Sequence, residues 1–237
     1  MLKDIVDLTV IQIRVFAVDI VPLNIITTQS CVQKIRESLS INLVEPPPFI
    51  EGITPIIFQR GEIRTDGNII VINRIEIEPR RIIIEIIGTS KQANQVYELL
   101  LSSISLAANI EVNGLRQPLL TAENTRCVVT LDFHLNALFS DSFVGFLNGE
   151  LKNKASTQLA TATIEPLGIS TQVTYQIKDE ILLNNKIGMN PKQFTIAPRP
   201  GIPLDARRYI TSSPFDSDTH LRLIRTLNKV MAKTAKE

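Results

Sequence analysis

Between Ile53 and Ile87 the chain is dense in isoleucine, and in the middle of that run stands Asp66-Gly67-Asn68. β-Branched side chains lose χ1 freedom in a helix and pack well on a pleated surface, so the run reads as strand. Asp-Gly followed by a polar residue reads as a hairpin turn, because the turn needs a positive φ. The turn divides the run into strands at 56–64 and 69–77. Glu78-Pro79-Arg80-Arg81 makes a second turn, and a third strand follows at 82–87. The middle of the first half is therefore sheet.

The flanks complete a pattern. Residues 5–18 alternate apolar and polar over much of their length and read as a long first strand, ended by Pro22 and Asn24. Thr27 or Thr28 caps a helix at 29–39, whose Cys31, Val32, Ile35 and Leu39 form one stripe. Glu45-Pro46-Pro47-Pro48-Phe49 is a stiff loop. After Gly88, Thr89 or Ser90 caps a long helix that buries Val96, Leu99, Leu100, Ser103, Ile104 and Ala107. The order is β-α-β-β-β-α.

The second half echoes it. Residues 126–135 read as a strand, and Ser140 or Asp141 caps a helix at 142–151. Phe143, Val144, Leu147 and Leu151 repeat the spacing of the first short helix, displaced by 112 residues. Strands follow at 158–164, 169–178, 192–197 and 206–211, then a helix at 217–233. Arg80-Arg81-Ile82 returns as Arg207-Arg208-Tyr209, displaced by 127, and at that displacement Val96 meets Leu223, Leu100 meets Leu227 and Ile104 meets Met231. An insertion at 179–205 accounts for the difference between the two displacements. The sequence thus predicts an α+β protein of two sequential βαβββα units, 1–110 and 120–237, duplicated or forming one continuous domain. Its sheet is mostly antiparallel, with helices packed on one face. In topology alone this order resembles saddle-shaped duplicated folds such as the TATA-binding proteins. The resemblance implies a fold, not a function, and the basic, aromatic sheet of a minor-groove saddle is not evident in these residues.

Charge and composition narrow the function. With 25 basic and 24 acidic residues the net charge is +1, which gives no global field for nucleic acid or anionic membrane. No apolar run approaches the roughly 20 residues that span a bilayer. Asp4 and Asp7 stand where a signal peptide would be basic and then uncharged, so the expected location is cytoplasmic, without membrane insertion. Cys31 and Cys127 read as two buried free thiols. Neither a phosphate-binding loop nor a dinucleotide fingerprint is present, and no cofactor is expected.

The candidate sites are weighed in the same way. Asp216, Asp218 and His220 place three potential metal ligands within five residues, but only the first and last share a helix face, and the stretch serves better as a helix start rich in caps. No metal site is therefore assigned there. His134, near Asp132, Ser140 and Asp141, lacks a nucleophile elbow, so no catalytic residue is assigned. Arg80, Arg81, Arg207 and Arg208 are the best candidates for holding a phosphate or a partner's carboxylates, since a repeat would relate the two pairs. Ile82, Ile84 and Ile86 lie on a strand with few charges to protect an edge, so it is either central in a sheet or paired with another chain, as in a homo-oligomer. The expected function is a non-catalytic interaction or assembly protein whose partner is itself or another protein. The alternatives are binding of a small apolar ligand, or weak nucleic-acid or phosphate binding through the paired arginines.

Overall fold

A computed structural model describes residues 3–45, 55–65, 67–147, 149, 168–174 and 191–234. In chain order these form β1 (Lys3–Val15), α1 (Leu23–Ile26), α2 (Gln29–Leu39), β2 (Leu43–Glu45), β3 (Ile56–Thr65), β4 (Asn68–Glu78), β5 (Arg81–Ile87), α3 (Ser90–Ala108), β6 (Leu120–Thr130), α4 (Asp141–Phe146), β7 (Ile169–Val173), β8 (Lys192–Pro198), β9 (Arg208–Ser213) and α5 (Ser217–Thr234). The nine strands make one open antiparallel sheet in the order β2-β3-β4-β5-β1-β6-β9-β8-β7. The chain is α+β, and among the described residues no helix is long and apolar enough to cross a membrane.

The isoleucine run folds as a meander because both of its connections are tight. Thr65 pairs with Asn68, and Gly67 takes φ +83° in the two-residue link. Glu78 pairs with Arg81 across the second turn. Alternation then sends Ile70, Ile72, Ile75 and Ile77 of β4, with Ile82, Ile84 and Ile86 of β5, into one core with the buried faces of α2 and α3. Burying side chains of this size contributes roughly 1.5–3 kcal/mol each. The step from Ile72 to Ile75 breaks strict alternation. The ladder shifts register between Ile72 and Arg74, and on β3 the facing Arg60 adopts φ +59° between Gln59 and Gly61. The matched bulges keep the isoleucines on one face. They also turn the Arg60 carbonyl toward Asn42, which donates to it through its backbone N–H (3.2 Å) and side chain (2.9 Å).

Some expected boundaries move. The first strand ends at Val15 rather than 18, because the Phe16 N–H leaves the ladder to bond the Arg80 carbonyl. The helix expected at 142–151 is regular over Asp141–Phe146. Of the strand expected at 169–178, Ile169–Val173 is strand and 175–178 lie outside the described residues, and the one at 206–211 starts at Arg208, after a 3-10 turn at Leu204–Ala206. The strand expected at 158–164 lies outside the described residues. Leu99, expected inside, is 37% exposed.

The bulge brings β3 under the end of α2. A Cβ added at Gly61 would lie 2.5 Å from Ile41 Cδ1 and 2.7 Å from the Leu39 carbonyl oxygen. Backbone cannot yield as a side chain does, so Gly61→Ala is expected to destabilise by about 1–3 kcal/mol, read as a lower urea midpoint. An unchanged midpoint would mean that this approach is looser than described.

Candidate functional site

Strand β5 is central. It pairs with β4 on one side and β1 on the other, and Ile82, Ile84 and Ile86 are 0–1% exposed in the core. The oligomer-edge reading of these residues therefore has no free edge to rest on. The absence of charge on one face of this strand reflects burial beneath helices rather than protection by a second chain.

The paired arginines are not brought together. Arg81 opposes Val15, which pairs across to Leu120, whereas Arg208 opposes Thr130. Ten residues of β6 separate these two positions, roughly 33 Å at the usual strand rise. Arg80, Arg81 and Arg207 are engaged locally, whereas Arg208 is exposed and its side chain has no partner among the described residues. Arg80 donates to the Ala17 carbonyl (2.5 Å), and Arg81 pairs with Glu78 (2.5 Å) and Glu76 (3.6 Å). Arg207 donates to the Asp132 carbonyl (3.0 Å) and lies 3.3 Å from His134 Nε2. The joint fork imagined for phosphate does not form.

Asp216 and His220 part company as well. Asp216 Oδ1 accepts the Thr219 N–H at 2.9 Å, and this bond holds its carboxyl below the usual range. Asp218 is exposed in the first turn of α5. His220 is fully buried, with Nδ1 2.7 Å from Ser213 Oγ, and Nε2 2.9 Å from Thr211 Oγ1 and 3.4 Å from Cys127 Sγ. Every neighbour is a hydroxyl or thiol, so the ring sits in a neutral cluster.

Where the two long helices begin, their first residues meet. The Ser90 N–H donates to Ser217 Oγ (3.0 Å) and the Ser217 N–H donates to Ser90 Oγ (2.9 Å). Each serine thus fills the other helix's open first turn. Ser90 Oγ donates in turn to Glu123 (2.5 Å), so a carboxylate faces a positive helix end. Gln12, 1% exposed, ties Glu123 (2.8 Å) to Asn94 of α3 (2.9 Å), and Arg14 lies over the Tyr97 ring at 3.7 Å. On this helix side the polar groups are consumed by one another.

The face away from the helices is different. Cross-strand partners share a face, and one row crosses the whole sheet centre: Val71 on β4, Ile87 on β5, Thr9 on β1, Arg126 on β6, Ser212 on β9 and Thr195 on β8. Its eastern half, counted from Thr9 onward, floors a depression of about 700 Å3 that Asp7, Glu85, Asn124 and Arg199 also border. Most of these groups have an internal partner: Arg199 with Asp7 (3.4 Å), Asn73 with Glu85 (3.2 Å), and Ser212 with Asn124 (3.3 Å). Arg126 is exposed and makes no hydrogen bond or ion pair with any described residue. At the other end of the row Val71 is 37% and Ile87 44% exposed, with Ile69 at 58% beside them. Sequence reasoning passed over Arg126 because no motif contains it. The usable signal was the period of two in β6, which puts Asn124, Arg126 and Val128 opposite in sense to the buried Thr125, Cys127 and Val129.

The buried imidazole carries a pH signature. Burial pushes His220 down to about 4 from an ordinary 6.5. As pH falls through 6.5 the unfolded chain takes up this proton and the folded chain does not until about pH 4. Stability is therefore lost across that window and levels off below it, by about 3 kcal/mol at roughly 1.4 kcal/mol per pH unit. His220→Gln is expected to remove this portion of the loss between pH 7 and pH 4 in urea titrations. An equal loss in both proteins would show that His220 is not the group responsible.

Neither a protein-family model nor a curated protein matches the chain, so the functional reading stands on geometry.

Proposed function

We propose that this chain is a non-catalytic interaction protein that receives a protein partner on the open face of its sheet. The observation that carries the reading is the row through Arg126: aliphatic and exposed at Val71 and Ile87, cationic and without a partner among the described residues at Arg126, polar at Ser212 and Thr195. A protein surface offers the complement, an apolar centre with an acidic side chain beside it. A carboxylate can take two parallel N–H bonds from a guanidinium fork. The face mixes Asp7 and Glu85 with Arg126 and Arg199, whereas nucleic acid calls for one sign of charge. That favours a protein, a second copy of this chain or another.

The same proposal includes two βαβββα units, 1–110 and 120–237, related by a pseudo-twofold axis. Support comes from the strand order, which runs outward in the same sense from the β1–β6 seam on both sides as far as β8. The Phe16 N–H bonds the Arg80 carbonyl (2.9 Å) as the Leu131 N–H bonds the Arg207 carbonyl (3.1 Å). The shift of 115 between Phe16 and Leu131 carries Val10 onto Thr125, and these two residues face each other in the seam. Ser90 and Ser217, 127 apart, exchange equal bonds. The axis would pass through that seam.

A photo-crosslinking residue at Ile87 tests the interface, with one at Leu106, 73% exposed on α3, as control. The Ile87 probe is expected to trap one or a few defined polypeptides and the Leu106 probe none of them. Arg126→Glu is expected to leave the thermal midpoint unchanged and to weaken the trapped complex about thirtyfold or more, the effect of losing a desolvated charge pair worth 2 kcal/mol or more. Native mass spectrometry of the adduct then tells self from another protein, since a second copy adds 26.4 kDa. Equal trapping at both positions would reject the open face as the interface.

A further inference from the structure

Helix α5 carries a second surface, on the opposite side of the sheet from Arg126. Leu223, Leu227 and Val230 of α5, with Phe194 of β8, Ile169 of β7 and Phe215, border an apolar groove of about 560 Å3. Leu223 and Val230 are 40% and 54% exposed there. The α3 residues 127 positions earlier, Val96 and Ser103, are 0% and 2% exposed. In that half α2 lies against α3 and β3 and buries Cys31, Val32, Ile35 and Leu39.

The chain contains a helix patterned to do the same for α5. Displaced by 112 from Cys31, Val32 and Ile35 stand Phe143, Val144 and Leu147. The two helices also start alike: Thr28 Oγ1 accepts the Cys31 N–H (3.4 Å) and Ser140 Oγ accepts the Phe143 N–H (3.3 Å). Yet α4 buries none of its residues, and Phe143 and Phe146 are 43% and 50% exposed. A groove and a helix with no buried residue thus lie in the same half, each matching one member of a pair already assembled in the other.

We propose that the α5 groove is the seat of α4, and that this structure presents the pair undocked. Helix-in-groove packing reads anchors at i, i+3, i+4 and i+7 of an amphipathic helix; Phe143 and Leu147 stand at i and i+4, and Val144 and Leu147 at i and i+3. The connection is anchored at its start. Asp132 is tied to Asn228 of α5 at both its N–H (2.7 Å) and its carboxylate (2.8 Å). From there the chain stays on the core of this half, with Phe133 and Leu135 buried and Leu138 and Phe139 packed against it, and the Phe143 ring lies 5.4 Å from that of Phe139, so α4 docks by turning about Phe139–Ser140. Docking makes α4 a strap over α5 that opens without disturbing the sheet.

Hydrogen exchange on the full-length chain tests this directly. In the docked state the amides of Phe143–Leu147 are expected to exchange at least a hundredfold slower than in a free peptide, independent of protein concentration. Val230→Glu is expected to speed them at least tenfold and to leave α3 unchanged. Phe143→Ser, a change at an exposed position in this structure, is expected to raise fluorescence of the apolar dye ANS by opening the groove. Free-peptide exchange in α4 overturns the proposal, and so does protection that Val230→Glu leaves intact. Protection that grows with concentration would assign the groove to a second copy instead. A bound mass of a few hundred daltons in native spectra would assign it to a small apolar ligand. Either result overturns docking of α4.

Discussion

Strand β1 is held against β6 at nine cross-strand positions, from Lys3–Thr130 to Val15–Leu120. This seam joins what would otherwise be two sheets, each with its own core. One end is adjusted rather than regular: Asp4 and Asp7 take φ near +55°, and the register shifts on either side of Val6. Extra residues there increase local twist. Because both neighbours of the seam, β5 and β9, run straight into α3 and α5, the seam also sets where those helices start. The mutual capping of Ser90 and Ser217 is a consequence of that placement, and it locks the helix layer to the same line as the sheet.

Buried polar groups are costly unless paired, and the two halves meet this in different ways beneath α3 and α5. In the first half Ile84, Ile86 and Ala93 pack without any polar atom of their own. At the positions 127 later stand Thr211, Ser213 and His220, which satisfy one another. His220 thus occupies space that a methyl group and two isoleucines fill elsewhere. Its histidine chemistry is spent on hydroxyl partners, and this places it in the core rather than in a reacting site.

What the sequence made legible is what depends on near neighbours. Alternation located β3, β4 and β5, the Asp66-Gly67 turn located their hairpin, and Thr28, Thr89 and Ser140 marked helix starts where their side chains do accept N–H bonds. Position within the sheet was not legible, because strand order is set by pairings far apart in sequence. Periodicity says that Ile82, Ile84 and Ile86 are covered, not whether helices or another chain cover them. The paired arginines fail for a geometric reason. A twofold axis between antiparallel strands sends matching residues to opposite ends of the seam, so a repeat that relates Arg81 to Arg208 also separates them.

The same geometry explains why Arg126 is the better candidate. Under the proposed repeat, residues near the middle of the seam lie close to the pseudo-twofold axis, and Arg126 stands one position from Thr125, opposite Thr9. On the helix side of this line Gln12, Thr125 and Glu123 are bonded to helix residues or to the Phe215 carbonyl. On the open side the ladder satisfies the backbone but leaves side chains to find partners laterally. Asp7, Glu85 and Asn124 find them; Arg126, flanked by Thr9 and Ser212 in its row, finds none among the described residues. A guanidinium carries five donors that water satisfies at little cost, so its exposure is stable in the free chain. Its donors remain available to a carboxylate at the point where six strands contribute to one depression. The proposed binding face therefore lies along the β1–β6 seam, on the side that none of the described helices covers.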